Sequence, residues 1–519
     1  MELVSNSQLL PQRFLHSAST HGDKAAIVYR GRQLSYRELF ETAQKVAGFL
    51  RHAGMAQGDR VALLVQNSPE YIAAYYGVWM AGGISVALNT QASVTDVLTW
   101  VRHSEASILF VDLAYANITE LFERLIDVRV VTVDTLHTRN EAHKQYAAWN
   151  WQNVLDETPL ERIAVCAAQA PAAIIYTSGT TGAPKGVTLS HANLTANTAS
   201  IIEYLELSAR DSIMNVLPFF YSYGNSVLHT HLTAGGTIFL ENSLAYPHQV
   251  MDAMARACVT GFAGVPSTFA LLMNRVDLHA YDLSSVRYMT QAGGSMPVTH
   301  IERLRAAIPK IKLIVMYGQT EATARLAYLP PERLDEKLGS AGKAIPGVCL
   351  EIRDEQGLKL GAGEKGEIYA RGDNIMLGYW RNAEVTQTVI VGGWLRTGDL
   401  AYMDGDGYIF IHGRSSEIIK TGAFRVSPLE IEEVILEMPE IAEVAAVGVA
   451  DDILGEVIKV AVVVKSNCSI EQRAIQAYCR RRLPAYKVPK IVEFRDALPK
   501  TATGKVRRAL LVNKQKEGL

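Results

Sequence analysis

Cysteine is scarce and unpatterned in this chain: Cys166, Cys258, Cys349, Cys468 and Cys479 are scattered, with no Cys-x-x-Cys pair among them. That fits a reducing, cytoplasmic setting better than a disulfide framework or a thiolate zinc site. An excess of one charge is also missing. Lys and Arg number 51 against 53 Asp and Glu, for a net charge of −2, so no basic field exists for nucleic acid or anionic lipid. The N-terminus has no basic region followed by an apolar run, so no secretory signal is expected. The Asn-x-Thr sequons at Asn117 and Asn193 are silent without secretion. A membrane span is lacking too. Tyr71 to Leu88 is uncharged, but it sits at the short end of the ~17–25 residues that cross a bilayer and is broken by Gly82-Gly83. It reads as a buried helix, a tight turn and a core strand.

What is present is alternation. At 519 residues the chain is too long for one core and should form at least two domains. Short apolar runs (Val61 to Val65, Ile84 to Leu88, Ile108 to Val111, Val128 to Val133, Ala172 to Tyr176, Thr237 to Leu240, Val286 to Met289, Leu313 to Met316) recur with helix-like stretches between them. This predicts an α/β fold with layered βαβ subdomains and mainly parallel strands. Val348 to Ile352, Gly366 to Ala370 and Tyr408 to Ile411 have no long helix between them, which predicts a small antiparallel, barrel-like region. After Arg414 the texture becomes α+β, with helices expected over Pro428 to Leu436 and Ile470 to Leu483, and strands over Val444 to Val449 and Val457 to Val464. We therefore expect a large domain over 1–414 and a small mobile one over 415–519. Gly361 to Gly366 matches Gly-x-Gly-x-x-Gly, but a strand follows it and no helix, so it reads as a hairpin turn. His229 and His231 are two apart, the wrong spacing for a helical metal pair, and read as structural.

The most informative stretch runs Tyr176-Thr-Ser-Gly-Thr-Thr-Gly-Ala-Pro-Lys-Gly-Val187. A flexible, donor-rich loop that leaves an apolar strand forms a concavity for polyphosphate. Helix-forming sequence is expected directly after it. It is not a Walker loop, because Pro184 precedes Lys185 and Gly186 follows it. Further pieces come in order: Leu34-Ser-Tyr-Arg-Glu-Leu39, Tyr317-Gly-Gln-Thr-Glu321, Leu395-Arg-Thr-Gly-Asp-Leu400, Gly413-Arg414 and Pro499-Lys-Thr-Ala-Thr-Gly-Lys505. The ordered set resembles the adenylate-forming superfamily of acyl-CoA synthetases, aryl-CoA ligases, luciferase-like enzymes and peptide-synthetase adenylation domains. Taken singly, Glu321 and Asp399 read as cap or turn carboxylates and Lys505 as an exposed lysine. Their order sets those readings aside.

The chemistry implied is attack of a carboxylate on the α-phosphate of ATP, in which cationic and dipolar groups must offset anion–anion repulsion. The resemblance implies that Thr177, Ser178, Gly179, Thr180, Thr181 and Gly182 cradle the β- and γ-phosphates, with Lys185 adding charge. It also implies that Thr320 bonds the α-phosphate, that Gln319 and Gly318 belong to the same nucleotide segment, and that Glu321 holds Mg²⁺. Tyr317 would lie against adenine, Gly293, Gly294 and Ser295 would leave room for the base, and Asp399 with Arg414 would bind the ribose. Lys505 would bridge the carboxylate and the departing oxygen.

A second half-reaction with coenzyme A or a phosphopantetheinyl carrier protein is implied as well. The hinge would fall at Ser415-Ser416, and Lys420, Gly422, Ala423 and Arg425 would line the thiol tunnel. The chain departs from the family pattern at Ser416, usually Asp or Lys, and at Ala423, usually Gly. A methyl group there narrows the tunnel, or else the loop shifts register by one residue. The segment Ser212 to Leu240 has no Asp or Glu, which disfavours an α-amino acid, whose ammonium would be buried unpaired. Tyr221 replaces the histidine of Pro-x-x-His and weakens a luciferase reading. Tyr221, Tyr223, Asn225, Val265, Ala292, Met296 and Met316 are expected to line the acid pocket, the alternative for each being a place in the core. An apolar acid, fatty acyl first and aromatic second, is the expected substrate. A catalytically idle nucleotide- or acyl-binding homologue is the competing class, and a homodimer is left open.

Overall fold

The computed structural model describes residues 8–136, 147–177, 184–422, 424–451, 454–466, 468–501 and 504–512. Two large sheets carry the N-terminal part. The first has nine strands, with Ala25–Tyr29, Thr237–Leu240, Ser212–Asn215, Gly261–Gly264, Tyr288–Gln291 and Lys312–Tyr317 running parallel through its middle. The second has eight, in which Pro171–Thr177, Ile84–Ala87, Arg60–Leu64, Ala106–Asp112, Arg129–Val133 and Trp149–Asn150 are parallel neighbours. Parallel strands buried on both faces need continuous apolar sequence, which is the texture of these runs.

Helix Pro69–Met80 is buried on every side, as expected for one that is apolar all round. It bonds in both directions. Trp79 Nε1 donates to the Ala172 carbonyl at 2.7 Å on the eight-stranded side. The Tyr76 hydroxyl meets His229 Nδ1 at 2.9 Å, on helix Ser222–Ala234. The turn at Gly82-Gly83 then leads into the strand Ile84–Ala87, as the sequence predicts. Helix Tyr36–His52 starts at a reciprocal cap: Ser35 Oγ accepts from the Glu38 N–H, and Glu38 Oε2 accepts from the Ser35 N–H at 2.8 Å.

A five-stranded antiparallel sheet (Val348–Arg353, Gly366–Gly372, Trp394–Met403, Ile390–Val391, Ile409–Arg414) follows. Gly361 to Gly366 lies in the connection between its first two strands and opens no helix. Beyond Arg414, helices Pro428–Leu436 and Gln472–Arg482 pack on the long hairpin Ile441–Asp451 and Gly455–Val464. Ile491–Phe494 adds a parallel edge strand.

One local expectation fails. The segment after the Tyr176 loop is a strand, Lys185–Ser190, paired antiparallel with Pro171–Thr177, and the helix begins only at His191. The loop therefore closes a hairpin instead of leading into a helix. The β-branched and aliphatic Val187, Thr188 and Leu189 favour the extended form.

Candidate active site

Parallel strands deliver their C-terminal ends to one edge of a sheet, and ligand clefts form there. Here the nine-stranded sheet presents Val265, Gln291 and Tyr317 to a cavity of about 400 Å³. Gly293, Gly294, Ser295, Met296, Met316 and Gly318 line it from the large domain, together with Asp399 and Arg414. Gly504 and Lys505 line it from the small one. Lys505 sits on a turn in which the Thr501 N–H donates to the Lys505 carbonyl, the Gly504 N–H to the Thr501 carbonyl and the Lys505 N–H to the Thr501 hydroxyl. Its Nζ lies 5.8 Å from the centroid of the Tyr221 ring.

Asp399 and Arg414 are cross-strand partners in the five-stranded sheet, which places Arg414 Nε 3.1 Å from Asp399 Oδ1. The Tyr317 hydroxyl donates to Asp399 Oδ2 at 2.6 Å. Burial raises the Asp399 carboxyl above its usual range, opposed by the Arg414 guanidinium and the Tyr317 hydroxyl. Arg414 in turn is held further toward its charged form by Asp399. Burial and the neighbouring carboxylate push the Tyr317 phenol well up, so it stays a donor.

Thr320 and Glu321 follow in a 3₁₀ turn. Thr320 Oγ1 lies 3.3 Å from Ser222 Oγ. Glu321 Oε1 accepts from the Tyr379 hydroxyl at 2.9 Å, and the Lys185 ammonium lies 5.8 Å from the centroid of that same ring. Gly378–Tyr379 is an edge strand on Lys185–Ser190, so Tyr379 links the base of the Tyr176 hairpin to the Thr320-Glu321 turn. Sequence reasoning missed Tyr379 and Ser222. Neither lies in a motif, and each is revealed only by the fold.

Gly318 explains itself by crowding. A Cβ at this position would stand 2.0 Å from the Ala324 carbonyl oxygen, a backbone atom with no rotamer to give. Gly318→Ala is therefore expected to cost roughly 3 kcal/mol and to displace the Thr320 turn, seen as a lower melting temperature together with lost activity.

Not every expected residue reaches the cleft. Ser178, Gly179, Thr180, Thr181, Gly182 and Ala423 lie outside the described residues. Thr177 ends its strand opposite Lys185. Gln319 keeps a buried Nε2 without a partner among the described residues. Val265, Met296 and Met316 line the cavity as expected, and Ala292 is buried beside it in the chain. Asn225 belongs to the core instead: its Oδ1 meets His229 Nε2 at 2.7 Å and accepts from Tyr75. The Tyr223 hydroxyl is taken by Thr290, at 2.8 Å from Oγ1, so it borders a second, deeper void.

Of the expected thiol-tunnel residues, Ser416, Lys420, Gly422 and Arg425 do not line the cavity. Lys420 and Arg425 face each other across a hairpin whose turn starts at Gly422, φ +58°. Glycine thus occupies the position that needs a left-handed backbone, one place before the expected one. His229 and His231 are buried and hydrogen-bonded within the fold, and no cluster of three or more His, Cys, Asp or Glu suited to a metal occurs among the described residues. No described helix is long and apolar enough to cross a membrane.

Comparison with known proteins converges on one group. The family described as AMP-binding enzyme matches residues 14–380, and its C-terminal domain matches residues 430–505. An indoleacetate–CoA ligase of Aromatoleum aromaticum is 34% identical over 491 residues, covering 93% of this chain and 94% of its own. A long-chain-fatty-acid–CoA ligase of Bacillus subtilis is 31% identical, covering 99% and 96%. The crystal structure of a benzoate CoA ligase from Burkholderia xenovorans superposes with a TM-score of 0.88 at 25% identity, over 98% of this chain and 100% of that one.

Proposed function

Because this chain belongs to the AMP-binding enzyme family, we propose that it is an AMP-forming acid–thiol ligase for a carboxylic acid with an aliphatic or aromatic body. The observation that carries the reading is that Lys505, on the small domain, hangs in the cavity that also holds Tyr317 and the Asp399–Arg414 pair. In the first step a carboxylate oxygen bonds to the α-phosphorus of ATP and the bond to pyrophosphate breaks. The negative charge that gathers on the transferring phosphoryl and leaving oxygens is met by preorganised donors. Lys505 would supply the ammonium, Thr320 a hydroxyl to the α-phosphate, and the Tyr176 hairpin with Lys185 would take the outer phosphates. Asp399, already aligned by Arg414 and Tyr317, would accept from the ribose hydroxyls.

The residues fit a magnesium ion bound with the nucleotide. Glu321 offers a carboxylate to which, among the described residues, Tyr379 alone donates, and Mg²⁺ is held by one or two carboxylates plus phosphate oxygens. When bound, the ion neutralises phosphate charge. In the second step a thiol sulfur attacks the acyl carbon, AMP departs, and the thiol proton passes to water. CoA is the acceptor that the relatives' names favour, with a carrier protein as the other candidate. We divide the chain at 414/415, so that Ser416 serves as hinge and the Lys420–Arg425 hairpin faces the thiol after the small domain turns. The five free cysteines suit a reducing compartment such as the cytoplasm.

The test is AMP release from ATP across aliphatic and aromatic acids, with and without CoA. CoA-dependent release is expected for a subset of them. If no acid supports either AMP release or exchange of labelled pyrophosphate into ATP, the chain is a nucleotide-binding homologue without ligase activity.

A further inference from the structure

Behind Met316 lies a second cavity that the activation chemistry leaves unexplained. Its free volume is about 10 Å³, the scale of a single water. Tyr204, Tyr223, Thr290, His231 and Arg325 wall it, and Met316 separates it from the cleft by lining both.

Most polar groups of this void are spent on one another. Tyr223 bonds Thr290, while His231 uses Nδ1 on the Val227 carbonyl and Nε2 on the Tyr288 hydroxyl, both at 2.9 Å. Arg325 is different. Its side chain belongs to a residue only 3% exposed, and among the described residues no carboxylate pairs with it. Its contacts are the Met316 thioether (Nε to Sδ 3.2 Å), the Ala324 carbonyl (3.3 Å), the Tyr204 hydroxyl and the face of Tyr223, 4.1 Å from the guanidinium carbon to the ring centroid. Arg287 shows the contrast, with Asp211 Oδ1 at 2.8 Å. A desolvated guanidinium held by a sulfur, a phenol and a ring face lacks its anion, and burying such a charge uncompensated is costly.

We propose that this void is the far end of the acid-binding pocket and that Arg325 receives a second carboxylate of the substrate, so that the acid activated is a dicarboxylic acid. The inference rests on reading the cleft as a carboxylate-activating site. Met316 is the gate. The Met316 sulfur accepts from Arg325 Nε and, at 3.1 Å, from the Tyr204 hydroxyl. An incoming carboxylate is a far better acceptor for both donors, so it displaces the sulfur and frees the flexible side chain to turn aside. One carboxylate then stands at Lys505 and Thr320 for activation, and the other is held in the guanidinium fork. A methyl-terminated acid of equal length leaves Arg325 buried without an anion, and that penalty sets the discrimination.

The experiment measures kcat/KM for AMP release by the full chain, with ATP and CoA, over α,ω-dicarboxylates of increasing length and their methyl-terminated monocarboxylates. At one length the dicarboxylate is expected to exceed its matched monoacid by roughly 30- to 1,000-fold. Arg325→Met should erase that preference, mainly through KM for the diacid, while the monoacid is retained or improved. Arg325→Lys should keep part of the preference. The matched diacid should raise the melting temperature of the wild type and not that of Arg325→Met. Turnover of monoacids with every diacid ignored overturns the second-anion site and leaves the ligase reading standing. A lower-melting Arg325→Met that loses both acids equally shows a structural cation and also overturns it. No AMP with any acid defeats the ligase reading and this inference with it.

Discussion

Replacing Lys505 with alanine is expected to slow acyl-adenylate formation by about 10³-fold, on the order of 4 kcal/mol of transition-state stabilisation, while thioester formation from supplied acyl-AMP survives. The asymmetry follows from the charge that each step must handle. In the first, two anionic groups approach and a third departs, and the small domain brings Lys505 into the cleft beside Tyr221. In the second, a neutral mixed anhydride meets a thiol, and in our proposal the small domain has turned to present the Lys420–Arg425 hairpin instead. Pyrophosphate exchange reports the first step and thioester release from synthetic acyl-AMP reports the second. Equal loss of both would show that Lys505 serves the fold or the nucleotide, and it would remove the two-orientation account.

Acid should unfold this protein at a higher pH than carboxylate titration alone would suggest. His191, His229 and His231 are buried, and burial pushes their imidazoles down to about 4, about 3 and about 4. In the unfolded chain each takes up a proton near its ordinary value of about 6.5. The folded state therefore binds fewer protons, and stability present above that value is lost progressively as the pH falls below it. Each histidine loses about 1.4 kcal/mol per pH unit, so the three together lose on the order of 6 kcal/mol by about pH 5. Total stability is commonly 5–15 kcal/mol. The Asp112 and Asp399 carboxyls, raised by burial, take up protons in the folded state first and so act with the opposite sign, offsetting part of this loss. Circular dichroism against pH should show the transition beginning below about pH 6. A His229→Gln, His231→Gln pair should flatten its slope, leaving His191 and His300, each pushed down to about 4, to carry the remainder. An unchanged slope would mean that these imidazoles accept protons without leaving the core.

Much of this molecule was written legibly in its chain. The strand runs, the Tyr71–Leu88 turn, the antiparallel region and the α+β tail were readable because buried parallel strands demand uninterrupted apolar sequence, and hinge and loop segments interrupt it. Asp399 and Arg414 were readable as motif members, but their pairing depends on cross-strand register that no motif states. Other features were hidden for physical reasons. Tyr379 touches Glu321 from 58 residues away in the chain. The strand Lys185–Ser190 resembles the start of a helix in sequence, because its short, mixed run has no length to arbitrate between periods. Arg325 looked like any charged residue after a turn. Tyr204, Tyr223 and Met316, from three separate elements, close over it, so the absence of acids over Ser212–Leu240 tells half the story of the pocket.

The exposed pair of Arg425 and Glu355, 3.2 Å apart with side chains 74% and 81% accessible, spans the boundary at which we propose the hinge. A solvent-bathed ion pair holds with no more than about 1 kcal/mol, and salt weakens it further. In the two-orientation account proposed above this contact must break in every catalytic cycle, and so weak a pair resists little. Turnover that quickens as salt is added would identify the unlatching as the slow event.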